Sequence, residues 1–357
     1  MLMSKILYTG KSDRGMQRSS NEDAYIAQSI WDDNHVLGVA IDGVGGYDGG
    51  ERAAEIAKET IVAYLKKNIN GERLDLLKHA VVEANNRIED ERHSKKQFPN
   101  MACVLTACLV EVENKRINMV HVGDTRLYQF YGNALIKLSH DHSLVGYREE
   151  IGNLTEEEAM NHPERNLINR LVGDTFHKVD DEDFIEAATF PLLPNSTLLL
   201  CSDGLCDMLM SADIASVLKQ NLPQKDKVKE LIRLANNKGG KDNITVVLID
   251  YIDNHPENSD IKATKPVNNM NIQTEKRSKK KAGNFFIIIL SMLTCIAIGL
   301  IGGWFGYERF AIPVEPLQNP VESIVADKDT IIIELSDTCT VRIIGEKLEK
   351  DTIIPQQ

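Results

Sequence analysis

The stretch of sequence that decides the fold is Val39-Ala40-Ile41-Asp42-Gly43-Val44-Gly45-Gly46. An apolar run of the kind that fills a buried β-strand stops there at a carboxylate and continues into glycine. Such a strand end brings an acidic side chain and a bare backbone carbonyl together, which suits a hard metal ion. An Asp-Gly pair after a strand is by itself more often an ordinary turn, so the rest of the chain has to decide between the two interpretations.

The composition limits the class of protein. A chain of 357 residues can hold one domain of about 250 residues and a smaller part, and its apolar share of 42% supports a folded core. The net charge of −12 argues against a nucleic-acid surface, because phosphate contacts need a basic stripe. The six cysteines contain no CxxC pair and lie mostly in apolar runs, which indicates a reducing compartment. Residues 1–10 lack the long apolar core of a cleavable signal peptide.

Hydrophobic periodicity predicts a mixture of strands and helices over residues 36–252, while residues 1–30 are polar and irregular. The predicted strands are 36–41, 103–110, 117–122, 127–131, 134–138, 184–190, 197–201 and 244–252. The predicted helices are 51–65, 73–91, 211–220 and 226–237. Residues 141–183 form a polar insertion, with a helix cap expected at Thr155 ahead of three glutamates.

The C-terminal third has a different organisation. Residues 253–281 are a polar linker that ends in the basic run 276–281, and the uncharged run 282–307 has the length of a transmembrane helix. Because the basic run directly precedes this span, we interpret it as a membrane flank rather than as a nucleic-acid tail. By the positive-inside rule, the basic run predicts a single-pass protein of the cell membrane with residues 1–252 in the cytoplasm and the tail 308–357 outside. The tail is a small sensing module or, slightly favoured, a weakly structured end.

Carboxylates recur where predicted strands begin or end. They are Asp42, Asp124, Asp203 and Asp242, three of them beside a glycine. Each alone is typical of a turn, but like charges brought together repel unless a cation lies between them. Together they predict a site for magnesium or manganese rather than zinc, which prefers cysteine and histidine ligands.

Six motifs in series resemble those of the metal-dependent serine/threonine protein phosphatases of type 2C, in their bacterial form. They are Arg18 with Asn21-Glu22-Asp23, Asp42-Gly43-Val44-Gly45-Gly46, His121-Val122-Gly123-Asp124-Thr125-Arg126, Asp141-His142-Ser143, Cys201-Ser202-Asp203-Gly204-Leu205 and Gly239-Gly240-Lys241-Asp242-Asn243-Ile244-Thr245. The resemblance covers about residues 5–252. It implies an α+β fold, a four-layer α-β-β-α sandwich of two antiparallel sheets with helices outside, to which the sequence adds one transmembrane helix.

The resemblance also implies how two ions, Mn²⁺ or Mg²⁺, are held. Asp42 would bridge the two ions, and the Gly43 carbonyl would ligate one of them. Asp203 and Asp242 would complete the coordination of the other ion.

The remaining roles follow from the other motifs. Glu22 and Asp23 would hold metal-bound waters, Asp124 with Asp203 would form a third, weaker site, and Arg18 would bind the substrate phosphate. Arg18, Asp42 and Asp203 are therefore the expected catalytic residues.

The implied activity is hydrolysis of phosphoserine and phosphothreonine in proteins by a metal-activated water. The expected partners are phosphorylated proteins, a serine/threonine kinase as functional opponent, and membrane lipid around the anchor, with no nucleic acid. An alternative, namely a pseudophosphatase or a membrane-anchored sensing module, stays open because of the membrane span and because Ala102-Cys103-Val104 stands where many relatives have Gly-Thr-Thr. Val44 replaces the histidine of eukaryotic members, as an apolar residue does in many bacterial relatives, so a water or another group must protonate the leaving group.

Three histidines offer a zinc interpretation. They are His140, His142 and His177. Their spacing and the lack of a companion cysteine pair favour structural or loop roles instead.

Overall fold

The computed structural model describes residues 5–44, 49–95, 98–253, 333–335 and 341–343. Its contacts divide the chain into two compact units, residues 1–267 and 268–357. The described part of the second unit is an antiparallel pair of short strands, Ile333–Leu335 and Val341–Ile343. The first unit contains every residue of the candidate metal centre.

Strands and helices of the first unit follow one another in the order expected for a layered α+β fold. The strands are β1 Lys5–Asp13, β2 Ala24–Ile30, β3 Asp32–Val44, β4 Ala102–Glu111, β5 Arg116–Val122, β6 Arg126–Tyr131, β7 Ala134–Lys137, β8 Glu186–Pro191, β9 Ser196–Cys201 and β10 Ile244–Ile252. The helices are α1 Gly49–Lys67, α2 Arg73–Ser94, α3 Leu144–Glu150, α4 Glu156–Met160, α5 Asp203–Cys206, α6 Ser211–Leu218 and α7 Gln224–Asn237.

Two five-stranded antiparallel sheets form the centre of the unit. Their strand orders are β1-β10-β9-β6-β7 and β2-β3-β4-β5-β8. One buried cluster, which includes Val36, Cys108 and Val247, draws its side chains from both sheets. A second cluster joins α1 and α2 to the sheet of β3 and β4, and a third joins α6 and α7 to the sheet of β9 and β10. The predicted sandwich of two antiparallel sheets flanked by helices is therefore confirmed.

The burial of β4 illustrates why an apolar run in the sequence predicted a strand in the core. Every residue of β4 is buried, because one face of the strand lies against the other sheet and the other face against α1 and α2. A strand covered on both faces reads as a continuous apolar run rather than as an alternating one.

The expectation that residues 1–30 are irregular is wrong for two segments. Residues 5–13 form β1, which pairs along its whole length with β10, and residues 24–30 form β2 beside β3. Both are edge strands whose side chains are mostly half-buried, so their sequences lack the apolar run of a central strand.

The first predicted strand also runs further than expected. It continues through Asp42 and Gly43 to Val44, because these residues pair with Val104, Cys103 and Ala102 of β4. Asp42 is thus a strand residue, and the interpretation of Asp42-Gly43 as an ordinary turn is wrong.

The polar insertion between β7 and β8 contains two short helices. At α4 the Thr155 hydroxyl accepts the Glu158 amide, and the Glu158 carboxylate accepts the Thr155 amide, which confirms the predicted cap.

The described residues include no helix that is long and apolar enough to cross a bilayer. The predicted span 282–307 lies outside the described residues, together with the linker after residue 253 and most of the tail.

Candidate metal centre

One cavity of about 180 Å³ brings together the residues that the sequence had placed in a metal and phosphate site. Its walls include Arg18, Glu22, Asp42, Gly43, Asp124, Asp203 and Asp242. Asp23, the remaining predicted ligand, is close enough to Asp42 and Asp203 to influence their charge. Its carboxylate accepts the Ser202 hydroxyl at 2.8 Å.

The end of β3 is packed too tightly for any residue but glycine at position 43. A Cβ atom on Gly43 would overlap the carbonyl groups of Gly50 and Glu22. Gly50 lies in the first turn of α1, and a Cβ atom there would overlap the Glu22 carboxylate. The two glycines therefore let β3, α1 and the segment of Glu22 approach one another directly.

The antiparallel pairing of β9 and β10 places two of the aspartates. Asp203 is the first residue of α5, directly after β9, and Asp242 comes just before β10. The Ser202 hydroxyl accepts the Thr245 amide at 2.9 Å, and Gly204 packs against the Asn243 carbonyl without room for a Cβ atom. These contacts hold the two segments against each other.

A tight loop after β5 presents Asp124. Gly123 has a φ of +108° and packs against the Val104 side chain so closely that a Cβ atom would overlap it. Residue His142 holds this glycine on both sides: its backbone amide donates to Gly123 O at 2.7 Å, and its Nδ1 accepts the Gly123 amide at 3.1 Å.

The carboxylates in the cavity are destabilised as anions. Burial, together with the charges of neighbouring aspartates, raises the pKa values of Asp42 and Asp203 well above their ordinary range. Burial likewise raises the pKa of Asp23 and of Asp124 to about 7. Each shift reflects the cost of charging a group that water does not reach.

Two buried carboxylate oxygens lack a hydrogen-bond donor within the described residues. They are Asp23 Oδ1 and Asp203 Oδ1. Buried acceptors without donors, in a set of ligands that consists of oxygen atoms alone, fit a hard divalent cation such as Mg²⁺ or Mn²⁺. The residues present therefore fit the metal ions that the sequence predicted.

Arg18 provides a positive charge at the same cavity. Its Nη2 donates to Asp242 Oδ2 at 2.6 Å, and 52% of its side chain is exposed. A half-exposed guanidinium beside an anionic cluster is placed to meet a phosphate that enters from solvent.

The histidines near this site have structural partners. The Nδ1 of a neutral His142 accepts an amide hydrogen, so its proton is on Nε2 and that atom has no lone pair for a metal. Although His121, His142 and Glu186 are close enough together to bind an ion, Glu186 already accepts the backbone amide and Nδ1 of His140. His177 stacks on Phe184. These contacts favour the structural interpretation of the histidines.

Sequence analysis gave no role to Asn166 and Ile168, which line the cavity wall beside Val44 and Val104. Val44 and Val104 were noted in the sequence only as departures from the family pattern. Asn243, which binds the loop between β1 and β2, lies inside one of the motifs that matched the phosphatases but was given no role of its own.

The comparison with known families is decisive. A model described as Protein phosphatase 2C matches residues 10–248. The chain belongs to the protein phosphatase 2C family.

Relatives in this family have similar sequences over the same region. The chain is 31% identical to the serine/threonine phosphatase stp of Listeria welshimeri over 246 residues, which are 67% of this chain and 94% of the relative. It is 32% identical over 241 residues to the protein phosphatase PhpP of Streptococcus pneumoniae, with the same coverage.

Solved structures of the family superpose on the first unit. The Streptococcus agalactiae serine/threonine phosphatase has a TM-score of 0.62 at 30% identity and is covered completely by 70% of this chain. The catalytic domain of the phosphatase PstP in complex with two manganese ions has a TM-score of 0.60 at 29% identity, with the same coverage. The protein is a serine/threonine protein phosphatase that acts on phosphoproteins, and the predicted activity is confirmed.

Proposed function

We propose that this protein phosphatase 2C hydrolyses phosphoserine and phosphothreonine with two divalent ions, Mn²⁺ or Mg²⁺, and that it does so at the cytoplasmic face of a membrane. A third, weaker ion site lies between Asp124 and Asp203. The observation that carries the metal assignment is one cavity lined by Asp42, Gly43, Asp124, Asp203 and Asp242, in which the buried Asp203 Oδ1 lacks a hydrogen-bond donor within the described residues.

Each ligand has a place in this cavity. Asp42 would be shared by the two ions, the Gly43 carbonyl would hold one of them, and Asp203 with Asp242 would hold the other. Glu22 and Asp23 would orient the waters around the ions. When bound, the divalent ions activate a water molecule for attack on phosphorus and offset the charge of the phosphate.

The side chains around the ions bind and orient the substrate. Arg18 donates two N–H groups to the phosphoryl oxygens and stabilises the charge that develops there as the bond to the serine or threonine oxygen breaks. Val44, Val104 and Ile168 form an apolar wall that limits the entry of bulk water. Since the Val44 side chain has no proton to donate, the leaving alkoxide takes its proton from another group.

The membrane assignment is supported by sequence alone. The basic run 276–281 followed by the uncharged run 282–307 fits an anchor with residues 1–252 in the cytoplasm and residues 308–357 outside. A membrane phosphatase of this orientation would oppose a serine/threonine kinase at the same surface. Fractionation of cells and protease protection of an epitope at each terminus test this assignment, and recovery of the full-length chain in the soluble fraction would refute it.

The activity is tested with the purified full-length protein and a phosphothreonine peptide, with Mn²⁺, Mg²⁺ or EDTA. We expect turnover with Mn²⁺ and none in EDTA, and a loss of at least about a hundredfold in kcat for Asp203→Asn. A matched control is Asp250→Asn, because Asp250 lies on β10 about 25 Å along the strand from Asp242 and pairs with Thr197 instead. Metal binding without turnover in the parent protein would favour the pseudophosphatase alternative, and an unchanged rate in Asp203→Asn would refute the metal assignment.

A further inference from the structure

The side chain of Asn243 uses all of its hydrogen-bonding groups on one loop. Its Oδ1 accepts the Glu22 amide at 2.8 Å, and its Nδ2 donates to Arg14 O and Ser20 O at 2.9 Å each. The side chain is almost fully buried, with 5% of the residue exposed. A primary amide offers two N–H groups and one carbonyl, so each has a backbone partner in the loop between β1 and β2.

The N-terminal half of this loop, residues 14–23, is held by backbone contacts with the segment before β10. The amides of Met16 and Gln17 both donate to Gly240 O. Gly15, at a φ of +78°, packs on the Asp242 carbonyl with no room for a Cβ atom. Arg18 lies at the centre of the loop, so the position of its guanidinium follows from how these ends are held.

Asn243 also contacts the other side of the site. Its backbone amide donates to Asp242 Oδ1 at 2.8 Å, while Asp242 Oδ2 accepts the Arg18 guanidinium at 2.6 Å. One residue thus contacts a predicted metal ligand through its backbone and the loop of the phosphate-binding arginine through its side chain.

We propose that Asn243 is a positioning residue for the substrate phosphate, which acts by holding the 14–23 loop so that Arg18 faces the metal cavity. The inference rests on the proposed function of the cavity. Without the amide, Arg14 O, Ser20 O and the Glu22 amide lose this partner, so three of the contacts that fix the loop on both sides of Arg18 are removed. Displacement of a positioning group by about 1 Å is enough to slow a reaction by about a hundredfold.

A merely structural role would give a different result, and the chain contains a matched control. Asn85 on α2 is also fully buried and also clamps a loop, since its Oδ1 accepts the Gly173 amide and its Nδ2 donates to Thr175 O, both at 2.7 Å. Gly173 and Thr175, the residues that Asn85 holds, do not line the metal cavity. Asn85→Ala therefore reports what the loss of a buried loop clamp does to stability alone.

The test is a double-mutant cycle on the full-length protein at saturating Mn²⁺, with a phosphothreonine peptide as substrate. Asn243→Ala is expected to lower kcat/KM by about tenfold to a hundredfold, mostly through a higher KM, because Arg18 binds the phosphate. In an Arg18→Ala background the same substitution is expected to cost less than about threefold, because the group that it positions is already absent. Asn85→Ala is expected to lower the melting temperature while kcat/KM per folded molecule stays within about twofold.

The remaining outcomes would refute either the positioning role of Asn243 or the proposed function. Losses that multiply in the double variant, or an unchanged kcat/KM in Asn243→Ala, would overturn the positioning role. If Asn243→Ala does not fold, Asn243→Asp replaces it in the same cycle. Aspartate keeps the shape of the side chain and the oxygen that accepts the Glu22 amide, but its second oxygen faces the carbonyls of Arg14 and Ser20. A parent protein without Mn²⁺-dependent turnover would refute the proposed function instead.

Discussion

Replacing Asp203 by asparagine is expected to stabilise the metal-free protein and to abolish its stabilisation by Mn²⁺. Asp203 lines the cavity, and its Oδ1 is buried and lacks a donor within the described residues. Desolvation, followed by the charges of Asp124, Asp207 and Asp242, raises its pKa. Asparagine keeps the size of the side chain, removes one negative charge and cannot replace a carboxylate as metal ligand. The two expected effects therefore have opposite signs in the same variant.

The size of each effect can be worked out. An unsatisfied buried group of this kind costs about 1–3 kcal/mol, so the metal-free variant gains up to that amount. Mn²⁺ at about a hundred times its dissociation constant stabilises the parent by about 2.7 kcal/mol. For a domain of this size 1 kcal/mol corresponds to about 2–4 °C, so the parent gains about 5–10 °C on adding Mn²⁺ and the variant gains almost nothing.

Scanning calorimetry of both proteins in EDTA and in a Mn²⁺ series measures these shifts, with Asp250→Asn as the control for a charge lost elsewhere on β10. A variant that melts below its parent in EDTA would show that Asp203 is not destabilised by its neighbours. A variant that keeps the full Mn²⁺ shift would show that Asp203 is not a ligand.

Three further predictions concern pH, a surface ion pair and a glycine. In EDTA the pKa values of Asp23 and Asp124 are raised from the ordinary 3.8 to about 7, so both groups stay protonated in the folded protein up to about pH 7. The stability that goes with these two protons is present at low pH and is lost as the pH rises through 7. We expect a higher melting temperature at pH 6 than at pH 8, and a flat or reversed profile with Mn²⁺. Hydrogen bonds from Arg52 lower the pKa of Glu91 to about 2, below its ordinary 4.5, so the ion pair stabilises the folded protein above pH 4.5 and this stabilisation is lost as the pH falls through 2. Glu91→Gln is expected to lower the free energy of unfolding in urea by about 1 kcal/mol at pH 7. An equal loss at pH 2 would contradict the assignment. Gly43→Ala is expected to reduce kcat/KM by more than about a hundredfold because the added methyl group displaces a ligand carbonyl, and a variant with normal Mn²⁺ titration would refute this.

Sequence analysis predicted the parts of the fold that depend on local pattern. The apolar run of β4 and the helical periodicity of α1 and α2 identified the core, and the recurrence of aspartate at strand ends predicted the acidic residues that line one cavity. Both signals are local, since a strand between two covered faces must be apolar and a hard cation must have oxygen ligands.

What the sequence did not predict depends on contacts between distant residues. β1 is recognisable mainly through its pairing with β10. The side-chain oxygen of Asn243 accepts a hydrogen bond from the backbone amide of Glu22, 221 positions away in the sequence. A half-buried edge strand has no local pattern that distinguishes it from ordinary polar sequence, and the motif around Asn243 does not show which backbone groups its amide binds. The acidic residues of the cavity could therefore be named from sequence, whereas the contacts that hold them in place required the structure.

The departures from the family pattern at residues 102–104 do not remove any part of the site. Cys103 lies in the core cluster of α1 and α2, where burial raises the pKa of its thiol so that it remains a neutral apolar group. Val104 does line the cavity, but its side chain fills the space beside Gly123, at the point where the loop turns to present Asp124. A hydroxyl at either position would need a hydrogen-bond partner, whereas the apolar side chains pack without one. The substitutions thus alter the packing around the cavity and leave Asp42, Gly43, Asp124, Asp203 and Asp242 in its wall, which is the arrangement expected of an active phosphatase rather than of a binding module that has kept only the fold.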